Sequence, residues 1–182
     1  MTRLFRNTTA LALAFALATA CAAPGDRTAT TQSSTAGGDK VEQVPACGDR
    51  IDALSSRIDG LSMTGEFPPR ATRDGDGTFA GAVTVTSTGA EIAGVATPEA
   101  DVYVAKAGEV VAVPLPKDSL GQAVNLRSGV SQVFTARGTV RQCSGGGPLP
   151  QGKYEVFAAI VVNRDDGPPV VVTGGPWPLE VS

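Results

Sequence analysis

Apolar residues recur along the chain with three different spacings, and each predicts a different kind of segment. From Ala10 to Ala18 they run without interruption, too short for a bilayer, which needs about 20 apolar residues. Around residues 48–61 they fall at helical spacing, with Ile51, Leu54, Ile58 and Leu61 on one stripe. Asp49 is placed to cap the start of this predicted helix, Asp52 to reach back, and Gly60 to end it. From Phe79 onward the period becomes two. Phe79, Gly81, Val83 and Val85 share one face of a strand, with Ala82, Thr84 and Thr86 on the other.

Further strands are predicted at Asp101–Lys106 and Glu109–Pro114, joined through Ala107-Gly108 as a hairpin with a tight turn. Leu120–Leu126 and Gln132–Val140 follow, linked through Gly129. Lys153–Val162 is a long strand with Tyr154, Val156, Ala158 and Ile160 on one face. Val170–Thr173 and then Trp177, Leu179 and Val181 complete the chain, and the alternation of these last three puts them on one inward face. Short strands, turns between them and no helical spacing among them predict an all-β domain, an antiparallel sandwich or barrel, over residues 45–182.

Between residues 21 and 44 there is no apolar period. The stretch is rich in Thr, Ser, Gly, Ala and Gln, and cannot bury enough surface to offset its ordering entropy. It is expected to be a disordered tether. Ahead of it, residues 1–20 have the parts of an export signal: Arg3 and Arg6, the apolar run, then small residues before Cys21.

The segment Ala18-Thr19-Ala20-Cys21 resembles the lipobox of bacterial lipoproteins, with Ala18 where that family usually has Leu. The resemblance implies that Cys21 becomes the lipidated first residue of the mature chain. The expectation is then an extracytoplasmic protein held to the membrane by lipid on Cys21, an acyl chain such as palmitate among its anchors. Removing residues 1–20 takes away two arginines and no acids, leaving 13 basic and 18 acidic side chains. That balance offers no basic patch, so no nucleic-acid partner is expected.

With Cys21 assigned to lipid, two cysteines remain. An oxidising location favours a Cys47–Cys143 disulfide, and the alternative is two separate buried thiols. The run LPQGKYEVFA, Leu149–Ala158, resembles the strand that carries the tyrosine corner of immunoglobulin-like and fibronectin-like domains. There the Tyr hydroxyl bonds the backbone a few residues upstream. The ending is similar to that of small bacterial immunoglobulin-like modules, including one named for proteinase inhibition. The closing Gly175–Val181 resembles the end of exported bacterial lipoproteins of unknown function. These likenesses imply an immunoglobulin-like antiparallel β-sandwich preceded by a short helix, and are nearly silent on activity.

The chain has no His, which excludes Ser–His–Asp and Cys–His chemistry and any His-liganded metal site. Glu66, Glu91, Glu99, Asp101, Glu109 and Asp118 fall near strand ends, and no spacing selects a catalytic pair. No catalytic residue, cofactor or metal is therefore assigned. Asp74 and Asp76 begin a calcium-loop pattern, but the twelfth position is Val85 rather than Glu. The expectation is a non-catalytic surface module binding a protein or cell-envelope component. A protease inhibitor and a calcium-dependent module using Asp74 and Asp76 are the alternatives. Recognition is expected in loops, with Gly89–Glu99, Ser144–Pro150 and Asn163–Pro169 as candidates.

Overall fold

Ten strands account for most of the folded chain in the computed structural model, which describes residues 44–54, 59–118 and 120–182, the Ala53 side chain excepted. The expected export signal, Cys21 and residues 22–43 of the expected tether lie outside the described residues. The strands are β1 (Leu61–Glu66), β2 (Arg70–Ala71), β3 (Thr78–Ser87), β4 (Ile92–Ala96), β5 (Glu99–Lys106), β6 (Glu109–Ala112), β7 (Gln122–Leu126), β8 (Ser131–Thr139), β9 (Gly152–Arg164) and β10 (Val170–Val181). They form one curled sheet in the order β1-β3-β8-β5-β9-β10-β2, with β6 added to β5 and the β4–β7 pair added to β9. The curl carries β1 over β10, so that Gly65 sits against the Trp177 ring and Gly174 against Met63.

Pairing is mostly antiparallel, with two exceptions to the expected antiparallel pattern. β5 runs parallel to β8 at Glu99↔Thr135 and Ala100↔Ala136, and β10 runs parallel to β2. Both exceptions are short. They arise where a strand crosses between the two sides of the curl, so neither neighbour in space is a neighbour in sequence.

β5 and the middle of β9 are buried on both faces, which is why they read as near-continuous apolar runs. Val102, Val104, Val156, Ala158, Ile160 and Val172 face the main core, with Phe134 and Leu126 opposite. The intervening Tyr103, Ala105 and Ala159, with Phe157 and Val171 partly buried beside them, face the other way. That second face is covered by a strap, residues 44–54, whose Ile51 and Leu54 side chains complete a smaller cluster.

The predicted helix over residues 48–60 is replaced by this strap. Its described part is a single 3₁₀ turn, Ile51–Leu54, and residues 55–58 lie outside the described residues. Asp49 does not cap a helix; its Oδ2 accepts from the Ala46 N–H at 2.8 Å, closing a turn behind it. Leu61, expected as the last residue of the helical stripe, begins β1 and pairs with Ser87. Competition from backbone partners explains the outcome. The Asp49 carbonyl, which a helix would pair four residues on, accepts the Val110 N–H at 2.9 Å, while Gly48 N–H and Ile51 N–H donate to the Val110 and Gly108 carbonyls at 2.9 and 3.0 Å.

The Ala107-Gly108 hairpin turn is formed as expected, with Lys106 paired to Glu109 and φ of 53° at Ala107 and 79° at Gly108. Such a two-residue turn needs positive φ at both positions, and only glycine adopts it freely. Ala107 carries a β-carbon in that region. Ala107→Asn is expected to raise the unfolding free energy by about 0.5–1 kcal/mol, because Asn-Gly suits both positions. Urea denaturation measures it, and a loss of stability contradicts the turn geometry.

Tyr154, expected in the core, is buried there, and its hydroxyl donates to the Pro150 carbonyl at 2.8 Å. Leu179 and Val181 are buried as expected on the same face. Trp177 is only half-buried, since it lies at the open rim of the curl and packs on Phe67, ring centroids 5.1 Å apart.

Candidate functional site

Cys47 and Cys143 form a disulfide across 96 residues, with Cα atoms 5.8 Å apart. It joins the strap to the segment just after β8.

Asp74 and Asp76 sit in the turn leading to β3. Asp76 Oδ1 accepts the Thr78 N–H at 2.9 Å, and this bond, helped by the Thr78 hydroxyl, holds the Asp76 carboxyl below the usual carboxylate range. The carbonyls nearby are already engaged. Arg141 Nε donates to Asp76 O at 3.0 Å and Nη2 to Gly75 O at 3.2 Å, while Thr139 Oγ1 donates to Gly77 O at 3.0 Å. A guanidinium thus occupies the oxygens that a calcium ion would use. Among the described residues no three His, Cys, Asp or Glu side chains come together as metal ligands.

The three candidate recognition loops have different fates. Gly89–Glu99 is not a loop throughout, because Ile92–Ala96 forms β4, with Ile92 and Ala96 buried beside its small partners. Ser144–Pro150 is a hydrogen-bonded turn: Gly146 N–H donates to Gln142 O and Gln142 N–H to Gly147 O. It lies folded back against Arg141 rather than extended as a protease-binding loop requires. Asn163 and Arg164 finish β9, leaving Asp165–Pro169 as the exposed connection.

The acids expected near strand ends are dispersed, except for two. Glu99 and Asp101, at the start of β5, lie beside the β6–β7 connection. Glu99 accepts from Arg137 Nε at 3.0 Å and Nη2 at 3.4 Å. Lys117 Nζ pairs with Asp101 at 2.8 Å and donates to the Glu99 carbonyl at 2.9 Å. Thr135 donates both its N–H and its hydroxyl to the Pro98 carbonyl, at 3.1 and 3.2 Å. Period-two alternation on β8 places Thr135 and Arg137 outward while Phe134 and Ala136 point to the core.

These pairs line a groove of about 330 Å³ that includes Pro98, Pro116 and Leu120. Glu99 and Asp101 are each paired with a cation, and Asp118 is a further carboxylate on the groove wall. The groove's margin is apolar. Leu120 is 72 % exposed, and Val133, two positions before Thr135 on the outward face of β8, is 63 % exposed. Val95 on β4, 44 % exposed, lies directly against Gly121, the residue after Leu120. Leu120 thus lines the groove itself, with Val95 against the adjoining Gly121 and Val133 two positions along β8 from the lining Thr135.

Sequence reasoning overlooked this site because its parts lie in four segments. Leu120 precedes β7 by two residues rather than opening it, and β4 forms within the expected loop Gly89–Glu99. The one signal available was Val133, an aliphatic residue in phase with outward-facing Ser131, Thr135 and Arg137.

No family model matches the chain, and no curated protein matches it. Among solved structures it is similar to the C-terminal domain of wzt, at 13 % identity, covering 68 % of this chain and 74 % of that one, with a TM-score of 0.41. It is similar to the CARDB domain of the PF1109 protein from Pyrococcus furiosus, at 17 % identity over 71 % of this chain and 96 % of that one, with a TM-score of 0.34. A β-glucosidase from Listeria innocua is similar at 15 % identity and a TM-score of 0.36, over 66 % of this chain but 16 % of that enzyme. Likenesses at these values assign neither a family nor an activity to the chain.

Proposed function

We propose that this chain is a non-catalytic, lipid-anchored module outside the cytoplasm that binds a protein or envelope component through the Val95–Leu120–Val133 face. The observation that carries the reading is the exposure of these three aliphatic side chains, Leu120 in the groove wall and Val95 and Val133 on the segments beside it. Exposed apolar residues scattered singly need no explanation, but three beside one groove do. Their setting, an apolar centre with a polar margin, is that of a partner-binding surface. The lipobox-like Ala18–Cys21 segment supports the anchor, and residues 22–44 would supply reach from the membrane.

The fold class that goes with this reading is an immunoglobulin-like sandwich, its two layers being the two sides of the curl. Its support is the Tyr154–Pro150 hydrogen bond, the tyrosine corner expected of such domains.

Labelled lipid precursor should mark the wild-type chain and leave Cys21→Ala unmarked; equal labelling removes the anchor. Leu120→Asp with Val133→Asp should weaken partner retention about tenfold or more, as loss of central apolar contacts does. The unfolding free energy should change by less than about 0.5 kcal/mol for each exposed position. Undiminished retention by a folded double variant assigns binding to another face.

A further inference from the structure

The strap runs along one edge of the sheet and is tied to it by one covalent bond. Gly48 N–H donates to Val110 O, Val110 N–H to Asp49 O and Ile51 N–H to Gly108 O, along β6 and the turn before it. Pro45 is buried, and Ile51 and Leu54 insert into the smaller cluster. A cleft of about 250 Å³ remains between these two side chains and Phe157 and Gly174, so the seat is incompletely filled. The disulfide that clamps it is accessible: Cys47 is exposed, and Cys143 is half-buried beside the Gly145-Gly146 turn.

What the strap covers is apolar. Tyr103 beneath it is 1 % exposed, with Ala105, Val110 and Ala159 buried around it. The main core lies on the opposite face of β5, β9 and β10 and includes no strap residue. Removing the strap therefore costs the smaller cluster and leaves the larger one assembled.

We infer that Cys47–Cys143 is a redox latch: reduction by an external dithiol frees residues 44–54 and uncovers Tyr103, Phe157 and the outer edge of β6 while the main core stays folded. A thiolate of the dithiol attacks the exposed Cys47 sulfur, the Cys47–Cys143 bond breaks, and Cys143 leaves as the thiolate. The second thiol of the reagent then displaces Cys47 and closes the reagent's own disulfide. Two electrons pass from the dithiol to the protein disulfide, and the reagent's two protons end on Cys47 and Cys143. The latch lies where the chain enters the folded domain, so opening lengthens the connection ahead of it by the length of the strap.

Tyr103 supplies the readout. Burial, and then the neighbouring Asp101 carboxylate, hold its phenol well above the usual tyrosine range, so it ionises and reacts only when uncovered. The full chain is reduced with dithiothreitol, its thiols are alkylated, and nitration by tetranitromethane is mapped by mass spectrometry. Tyr154, anchored to Pro150, is the internal control, and Trp177 emission with far-ultraviolet circular dichroism reports the main core. A Cys47→Ser, Cys143→Ser double variant is followed without reductant.

Expected are Tyr103 nitration about tenfold or more faster after reduction, as local opening predicts, unchanged Tyr154 nitration and an unchanged Trp177 signal, with the double variant behaving like the reduced chain. Tyr103 protection within about twofold of the oxidised chain overturns the latch. Loss of the Trp177 and dichroism signals together with Tyr103 protection also overturns it, since the bond then holds the whole domain rather than the strap.

Discussion

Phe134→Ala is expected to lower the unfolding free energy by about 3–5 kcal/mol, while Val133→Asp, one residue earlier, changes it by less than about 0.5 kcal/mol. Phe134 is 1 % exposed, belongs to the main core and pairs with Val83 of β3. Deleting it forfeits transfer free energy and adds a cavity. Val133 projects to water on the opposite face of the same strand, paired with Thr84. A charge there meets solvent. The contrast matters because a one-residue slip of β8 would exchange the two faces and remove the candidate binding surface. Comparable losses for both substitutions, in denaturant titrations, would show that β8 has a different register.

Replacing Cys47 and Cys143 together by serine is expected to cost about 4 kcal/mol of unfolding free energy, from the chain entropy returned to the unfolded state by a loop of this length. The separation of 96 residues makes the loop long. The value is an upper figure for this chain, because a strap released in the folded state recovers some of that entropy there as well. The domain should still unfold in one cooperative step, carried by the main core. A change below about 1 kcal/mol would mean that the folded state loses nearly as much order as the unfolded state gains.

Much of the strand pattern was legible because β3, β5, β8, β9 and β10 alternate strongly or run continuously apolar, and their turns carry Gly at the required positions. The tyrosine corner was legible too, since its residues are consecutive. The strap was not. Ile51, Leu54, Ile58 and Leu61 satisfy a helical period, but the backbone from Gly48 to Ile51 finds partners on β6, which no local pattern encodes. β1 and β4 were missed for a simpler reason: LSMTGE and IAGVA are short and rich in small or polar residues, so their alternation is faint. The candidate surface depends on β4. Val95 on β4 meets Gly121 before β7, and the Leu120 groove meets β8, only after the sheet has curled.

The cation–carboxylate pairs beside the groove fix its shape. Lys117 ties the β6–β7 connection to β5 through Asp101 and the Glu99 carbonyl, which holds Pro116 and Leu120 beside β8. Both partners of that pair are largely screened from water, so their attraction is less diluted than for the outlying Arg50–Asp52 and Arg70–Glu180 pairs. A rigid groove edge of this kind presents its apolar margin at little ordering cost on binding.

Site-directed photocrosslinking on intact cells tests the binding proposal most directly. A photoreactive residue is placed at Leu120 in one chain, and at exposed Gln151, ahead of β9, in another. The account predicts a discrete crosslinked product from position 120, lost when Val133→Asp is added, and none from position 151. The same product from both positions, or from neither, would contradict a partner surface at Val95, Leu120 and Val133.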